Sequence, residues 1–283
     1  GAEAMENALK LARAFTGRTG VIAFEGGFHG RTLATLALTG KTKPYKTGLG
    51  PLPGPVWHLP YPCPETGVSV DDAMAAITKL FAVSADPASV GAVVIEPVQG
   101  EGGFRAVDGE FLIALRRLCD ENGMVLIADE IQSGFARTGK MFAIEHAGVA
   151  PDIMAIAKAL GNGFPIGAVL ATEAVAETLV PGKHGTTFGG NPLATAVANA
   201  VLDEMLADGF LAHVERMGAL LRTRLEGLIG HQSGFHRTPK YGMAAQQSGL
   251  KKRKYAGMKN ILAFFELSMA LYFVFVLHYA WST

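Results

Sequence analysis

The chain holds 283 residues, 49% of them hydrophobic, with 25 Lys and Arg balancing 25 Asp and Glu for a formal net charge of zero. That length and apolar content allow a large core, and 35 glycines suit a loop-rich α/β architecture. Two cysteines, Cys63 and Cys119, are too few and too far apart for a disulfide framework or a zinc site, so a reducing cytoplasm is the expected setting; no nucleic-acid partner is expected.

Met5, Leu9 and Ala12, with Ala8, Leu11 and Phe15, recur at helical spacing and predict a helix near 4–15. A strand near 21–24 follows. The Pro- and Gly-rich stretch from Gly48 to Gly67 reads as a long surface loop. Next come a helix near 70–81, a strand near 91–95 closed by Glu96, and a helix near 109–121. The run Met124 to Ala128 stops abruptly at Asp129 and Glu130, as strands buried on both faces of a parallel sheet do. Strands near 153–157 and 166–171 precede a long helical stretch from about 192. This alternation implies right-handed crossovers and a mostly parallel sheet flanked by helices.

Ligands of such sheets bind in the crevice at the carboxyl ends of the strands. Asp129 ends one apolar run there, and Ile153 to Ala157 delivers Lys158 to a similar rim. Taken singly, an aspartate at a strand end is more often a helix cap, and a lysine a solvated charge. Taken together they fit pyridoxal-phosphate chemistry: the lysine forms a Schiff base, and the aspartate keeps the pyridine nitrogen protonated. Lookalike motifs fail. Gly40-Lys41-Thr42 has Thr35 where a P-loop needs glycine, and Gly100, Gly102 and Gly103 do not complete a dinucleotide fingerprint. No metal-binding pattern is present, and His29, although inside a motif, receives no role.

DEIQSGFARTG followed by AKALGNGFPIGAV closely resembles the core of the class III, fold type I aminotransferases. Further matches are GAEAMENALKLAR, GGFHGRT, VVIEPVQGEGGF and HGTTFGGNPLATA, so the resemblance spans Gly1 to about Ile229. It implies the large domain of a fold type I transferase, with the N-terminal segment and most of the small domain missing. It implies pyridoxal 5′-phosphate as cofactor, with Lys158 and Asp129 as the catalytic pair. Gly1 and Ala2 would join the phosphate cup, since unpaired amides at a helix start bind phosphate. Phe28 would stack on the pyridine ring, Ile131 pack beneath it, and Gln132 bond the phenolic oxygen. Thr187 would reach the phosphate of the neighbouring subunit's cofactor, making a homodimer with shared sites. Arg31, whose planar fork suits a carboxylate, would receive the substrate. Glu96, facing the same crevice, and Glu101 are expected to join Arg31 in binding substrate; Glu101 matches a glutamate that pairs with an arginine near the family's C-terminus. No family-like sequence follows Ile229 to supply that arginine.

The ends read as unusual. Gly1 falls inside a family motif and looks like the edge of a fragment. Residues 231–283 carry seven Lys and Arg against the single acid Glu266, so the net zero conceals +6 there against −6 before it. We therefore expect a partial transferase domain over 1–229, a basic linker over 230–260 and an apolar segment over 261–281. The last is long enough to cross a bilayer, with a basic flank that would stay cytoplasmic, although Glu266 interrupts it. A fused or misread frame is the competing expectation.

Substrate signals divide along the chain. GGFHGRT, EPVQGEGGF and ADEIQSGFARTG look most like 4-aminobutyrate aminotransferases; GNGFPIGAVLATE and PGKHGTTFGGNPLATAVANAVLD look like acetylornithine aminotransferases. The expected reaction is transfer of the amino group of 4-aminobutyrate to 2-oxoglutarate. The alternatives are an acetylornithine or ornithine aminotransferase, or an inactive truncated homologue.

Overall fold

The structure is a computed structural model that describes residues 1–226. The chain opens with α1 (Ala2–Thr16) and β1 (Gly20–Phe24), then α2 (Leu33–Leu38), β2 (Val56–Leu59) and α3 (Val70–Val83). It continues through β3 (Val90–Ile95), the short strands β4 (Val98–Gln99) and β5 (Arg105–Ala106), α4 (Gly109–Asn122), β6 (Val125–Asp129), β7 (Ile153–Ile156) and β8 (Ala168–Ala171). Three helices close the described part: α5 (Glu173–Ala176), α6 (Pro192–Leu206) and α7 (Phe210–Glu226).

Six strands form one sheet in the order β2-β1-β3-β6-β7-β8. Every pairing is parallel except β7 with β8. The central strands are buried on both faces, and alternation decides which layer each side chain joins. Val21, Ala23, Ala92, Val94, Val125, Ile127, Ile153 and Ala155 pack against Met5, Ala8, Leu9 and Ala12 of α1. Their neighbours Ile22, Phe24, Val93, Ile95, Leu126 and Met154 face Ile77 and Leu80 of α3 and Phe111, Leu115 and Cys119 of α4. Each fully buried aliphatic side chain contributes about 1.5–3 kcal/mol of transfer free energy. Local signals set the helix ends. Ser69 and Asp72 form a capping box on α3, Asp108 caps α4, and Gly123 ends α4 in the left-handed conformation.

Chain order reverses direction at β1: β2 lies on one side of it and β3, β6 and β7 on the other. The crevice beside β1 is thus a topological switch point. Because β1, β3, β6 and β7 are parallel neighbours, their carboxyl ends share one rim.

Four elements differ from the sequence expectation. Gly48 to Gly67 is not wholly loop. It contains the edge strand β2 and the buried Tyr61, whose hydroxyl donates to the carbonyl of Glu96 at 3.0 Å. The EPVQGEGGF segment turns back as the small β4–β5 hairpin. Six-residue α2 was not anticipated. The long stretch from 192 is two helices, broken around Asp208 and Gly209, the latter at φ +83°. In α1 the apolar stripe is buried except Phe15, which is 46% exposed. The expected linker over 230–260 and the apolar segment over 261–281 lie outside the described residues. Among the described residues no helix is long and apolar enough to cross a membrane.

Candidate active site

Four adjacent strand ends supply the site. The loop after β1 carries Phe28, His29 and Arg31; β3 leads into Glu96; β6 ends on Asp129; and β7 leads through Ala157 to Lys158. Register places Asp129 opposite Ala155, three residues before the lysine. Lys158 is exposed and takes φ +45°, a left-handed conformation uncommon for a residue with a side chain. Such outliers persist where the surroundings determine them, often at functional positions.

Asp129 is 3% exposed, and both of its oxygens are engaged. Oδ1 accepts the Ile131 backbone N–H at 3.1 Å, and Oδ2 meets His29 Nδ1 at 2.7 Å. Burial by itself would pull the imidazole pKa down. The hydrogen bond and charge of Asp129, reinforced by Glu96, outweigh burial and hold His29 above its ordinary value. Paired this way, the imidazole fixes the carboxylate rotamer, and the upward shift favours its charged form.

Glu96 is buried behind this pair. Its Oε2 accepts the Phe28 N–H at 2.9 Å and its Oε1 the Gly100 N–H at 3.3 Å. The carboxylate expected to meet substrate therefore turns to backbone, tying the Phe28 loop to the β4–β5 hairpin. Burial lifts it to about 7, with His29 opposing and Asp129 adding to the rise. Glu96 and His29 both bind protons more tightly in the fold than in the unfolded chain. Stability contributed by the carboxyl is complete below its ordinary value and is lost as pH rises from there through about 7. Glu96→Gln should flatten the fall in melting temperature between pH 4.5 and about 7, the window those two values bracket. Equal slopes in parent and variant would show that the carboxyl titrates normally.

The adjacent acid serves a different purpose. Glu130 turns away from the rim and accepts Ser133 Oγ and the Ile144 N–H, the latter at 2.8 Å. It anchors the loop that follows β6.

The remaining expected residues are distributed as follows. Gly1 abuts Ile131, since a Cβ there would meet its methyl groups at 3.1 and 3.3 Å, and it feels the charges of Asp129 and Lys158. The start of α1, including Ala2, thus lies beside the end of β6. Gly30, at φ +139°, packs so closely on Ala2 that an added Cβ would sit 2.7 Å from that residue's own. Gln132 leans on Gly100, where an added Cβ would displace its carboxamide. Phe28 is half-buried, with Arg31 5.5 Å from its ring centre. Glu101 is exposed and meets only Tyr45 Oη, at 3.3 Å. Thr187 belongs to the exposed segment 181–190, with no described contact to the rim.

A family profile, aminotransferase class III, matches residues 1–247, past Ile229 where the recognisable motifs stop. The chain belongs to the class III aminotransferases. Among curated relatives, 2-aminoadipate transaminase of Pseudomonas putida is 50% identical over 226 residues, covering 80% of this chain and 54% of that protein. 4-Aminobutyrate aminotransferase of Escherichia coli is 49% identical over 225 residues, covering 80% and 53%. Acetylornithine aminotransferase of Agrobacterium fabrum is 50% identical over 234 residues, covering 81% and 55%. Ornithine aminotransferase of Toxoplasma gondii superposes with a TM-score of 0.75 at 33% identity, covering 86% of this chain and 56% of that one. This class III chain spans about half the length of the curated relatives it matches.

Pyridoxal phosphate is the cofactor of the class III family, and a solved neighbour, an amine transaminase from an uncultivated Pseudomonas species, is described with it bound. The residues present fit it. A buried carboxylate paired with a histidine suits a pyridinium nitrogen, an exposed lysine just after the next strand suits an aldehyde carbon, and a helix start beside them suits a phosphate. His29 and Tyr45 are the residues that sequence reasoning missed. The only available signal for His29 was its place between Phe28 and Arg31; Tyr45 offered none.

Proposed function

We propose that this chain carries the catalytic core of an aminotransferase that moves the amino group of 4-aminobutyrate to 2-oxoglutarate, yielding succinic semialdehyde and glutamate. The observation that carries the proposal is the His29–Asp129 pair buried at the end of β6, beside the strand that leads to Lys158. When bound, pyridoxal phosphate supplies an electron sink for the carbon bearing the amine. Asp129, oriented by His29, would hold a negative charge toward the ring nitrogen. Lys158 would hold the cofactor through Nζ, and its free amine would serve as the base that moves the proton at the carbon bearing the substrate amine. Phe28 and Ile131 would pack on the ring, Gln132 would orient it, and Gly1 and Ala2 would hold the phosphate. Arg31 receives the carboxylate remote from the reacting amine.

Thr187, on an exposed segment, fits the role of reaching a second copy's phosphate, so we assign the working form to a homodimer with shared sites. The two cysteines, both buried and free, suit a reducing cytoplasm. Acetylornithine is the second reading, because relatives bearing that name match this chain at 48–50% identity, as closely as the 4-aminobutyrate relative does. The test is to add each amine to the cofactor-loaded chain without a 2-oxo acid. Loss of the cofactor's visible band with 4-aminobutyrate alone supports the first reading. Loss with acetylornithine alone supports the second, and no change with either overturns both.

A further inference from the structure

Tyr45 stands in the turn after α2, outside every motif that carries the site. The turn is pinned: the Lys46 N–H donates to the Thr42 carbonyl at 2.7 Å, and Lys46 Nζ to the Ala37 carbonyl at 3.0 Å. From this fixed position Tyr45 touches Phe28, expected to stack on the cofactor ring, and Arg31, expected to receive the substrate. Its ring meets Phe28 edge-on, centroids 5.3 Å apart, and the Arg31 guanidinium lies 5.0 Å from its centre. Its hydroxyl donates to Glu101 Oε2 at 3.3 Å. Partial burial and the neighbouring Glu101 charge raise the phenol above its ordinary value, so it remains a donor at neutral pH.

The consequence concerns Arg31. It is exposed, rests on two aromatic faces and pairs with no carboxylate among the described residues. Cation–π contact fixes a guanidinium without using its N–H groups, so the fork stays free for a bidentate ligand. Glu101 is the acid on the far side of the same tyrosine. If released, it would compete for Arg31 at the millimolar effective concentration typical of a short tether.

We propose that Tyr45 is a positioning residue for the substrate carboxylate: its ring holds the Arg31 fork and its hydroxyl detains Glu101, keeping the arginine open. This rests on the reading of Arg31 as the carboxylate receiver. The ligand class is a carboxylate at the end of the substrate remote from the reacting amine. Tyr45→Phe keeps the ring and frees the acid; Tyr45→Leu removes the ring as well.

The experiment is calorimetric titration of the full cofactor-loaded chain with butanoate, a carboxylate with no amine to react, and with neutral butanamide. Butanoate should bind the parent and butanamide should not. Tyr45→Phe should weaken butanoate about fivefold, the scale of one hydrogen bond. In a Glu101→Gln background the same change should have no effect, because the competing charge is gone, whereas Tyr45→Leu should weaken binding in both backgrounds. KM for the amino acid should follow these ratios while kcat stays level. Unaltered binding by Tyr45→Phe, or equal weakening with and without Glu101, overturns the inference. Arg31→Gln tests the underlying reading separately: it should abolish butanoate binding. Retained binding in that variant, or no binding to the parent, overturns the reading of Arg31 itself.

Discussion

Lys158→Ala should leave a folded chain that cannot hold its cofactor covalently. Borohydride reduction of the loaded parent should add one cofactor mass at Lys158, and the variant should show none by mass spectrometry. Turnover should fall by at least about 10⁴-fold, because the residue acts twice, as covalent anchor and as the base that moves the proton, and base catalysis alone supplies 10²–10⁴. Folding should be spared. Lys158 is exposed, and among the described residues its side chain supports no packing. Removal of its side chain at φ +45° leaves the backbone cost of about 1 kcal/mol with an alanine in place. A covalent adduct on the variant, or a normal rate, would place the reacting amine elsewhere.

Asp129→Asn should be the next most damaging change, lowering kcat/KM by about 10³-fold, the scale of losing one preorganised charge at a buried position. The substitution keeps the size of the side chain and its contact with the Ile131 N–H, so the fold should persist. What disappears is the negative charge facing the ring nitrogen. His29 changes as well, because burial then acts on the imidazole with its main opposing partner gone, and its pKa falls. A proton resonance of His29 titrating below its parent value would report this without any turnover. His29→Asn should cost less, about 10-fold to 100-fold, since Asp129 keeps its charge and loses only its orientation. Equal effects from the two substitutions would mean that the histidine, and not the carboxylate, carries the charge that matters.

Legibility in the sequence followed burial. β3, β6 and β7 were readable because both faces are covered, which writes each strand as an unbroken apolar run. Asp129 and Lys158 were readable because they terminate two of those runs. β2 was not: its Val56, Trp57 and His58 are only half-buried at the sheet edge, and Pro53, Gly54 and Pro55 precede it. Two-residue strands such as β4 and β5 are too short to show a period, and six-residue α2 shows fewer than two turns of one. Partnerships were the least visible of all. His29 and Asp129 are 100 positions apart, and nothing in either segment names the other. Glu96 was placed at the correct rim, but the direction of its carboxylate depends on the Phe28 and Gly100 amides, which only the folded backbone brings within reach. The motif resemblance located the same rim through Phe28, Arg31 and Gln132. It did not include Tyr45, which lies outside those motifs.

Asp129 and Glu130 are consecutive, yet one answers to His29 at the rim and the other to Ser133 and Ile144 beneath the following loop. Tolerance to insertion and deletion must therefore differ sharply along the chain. One residue gained or lost inside β6 would move one acid into the place of the other, displace the second, and turn Ile127 and Ala128 to opposite layers at once. The same length change in the exposed segments 48–55 or 181–190 meets no such alternation. Lineages descending from this chain should vary in length at those two places, while the spacing from Val125 to Glu130 stays fixed.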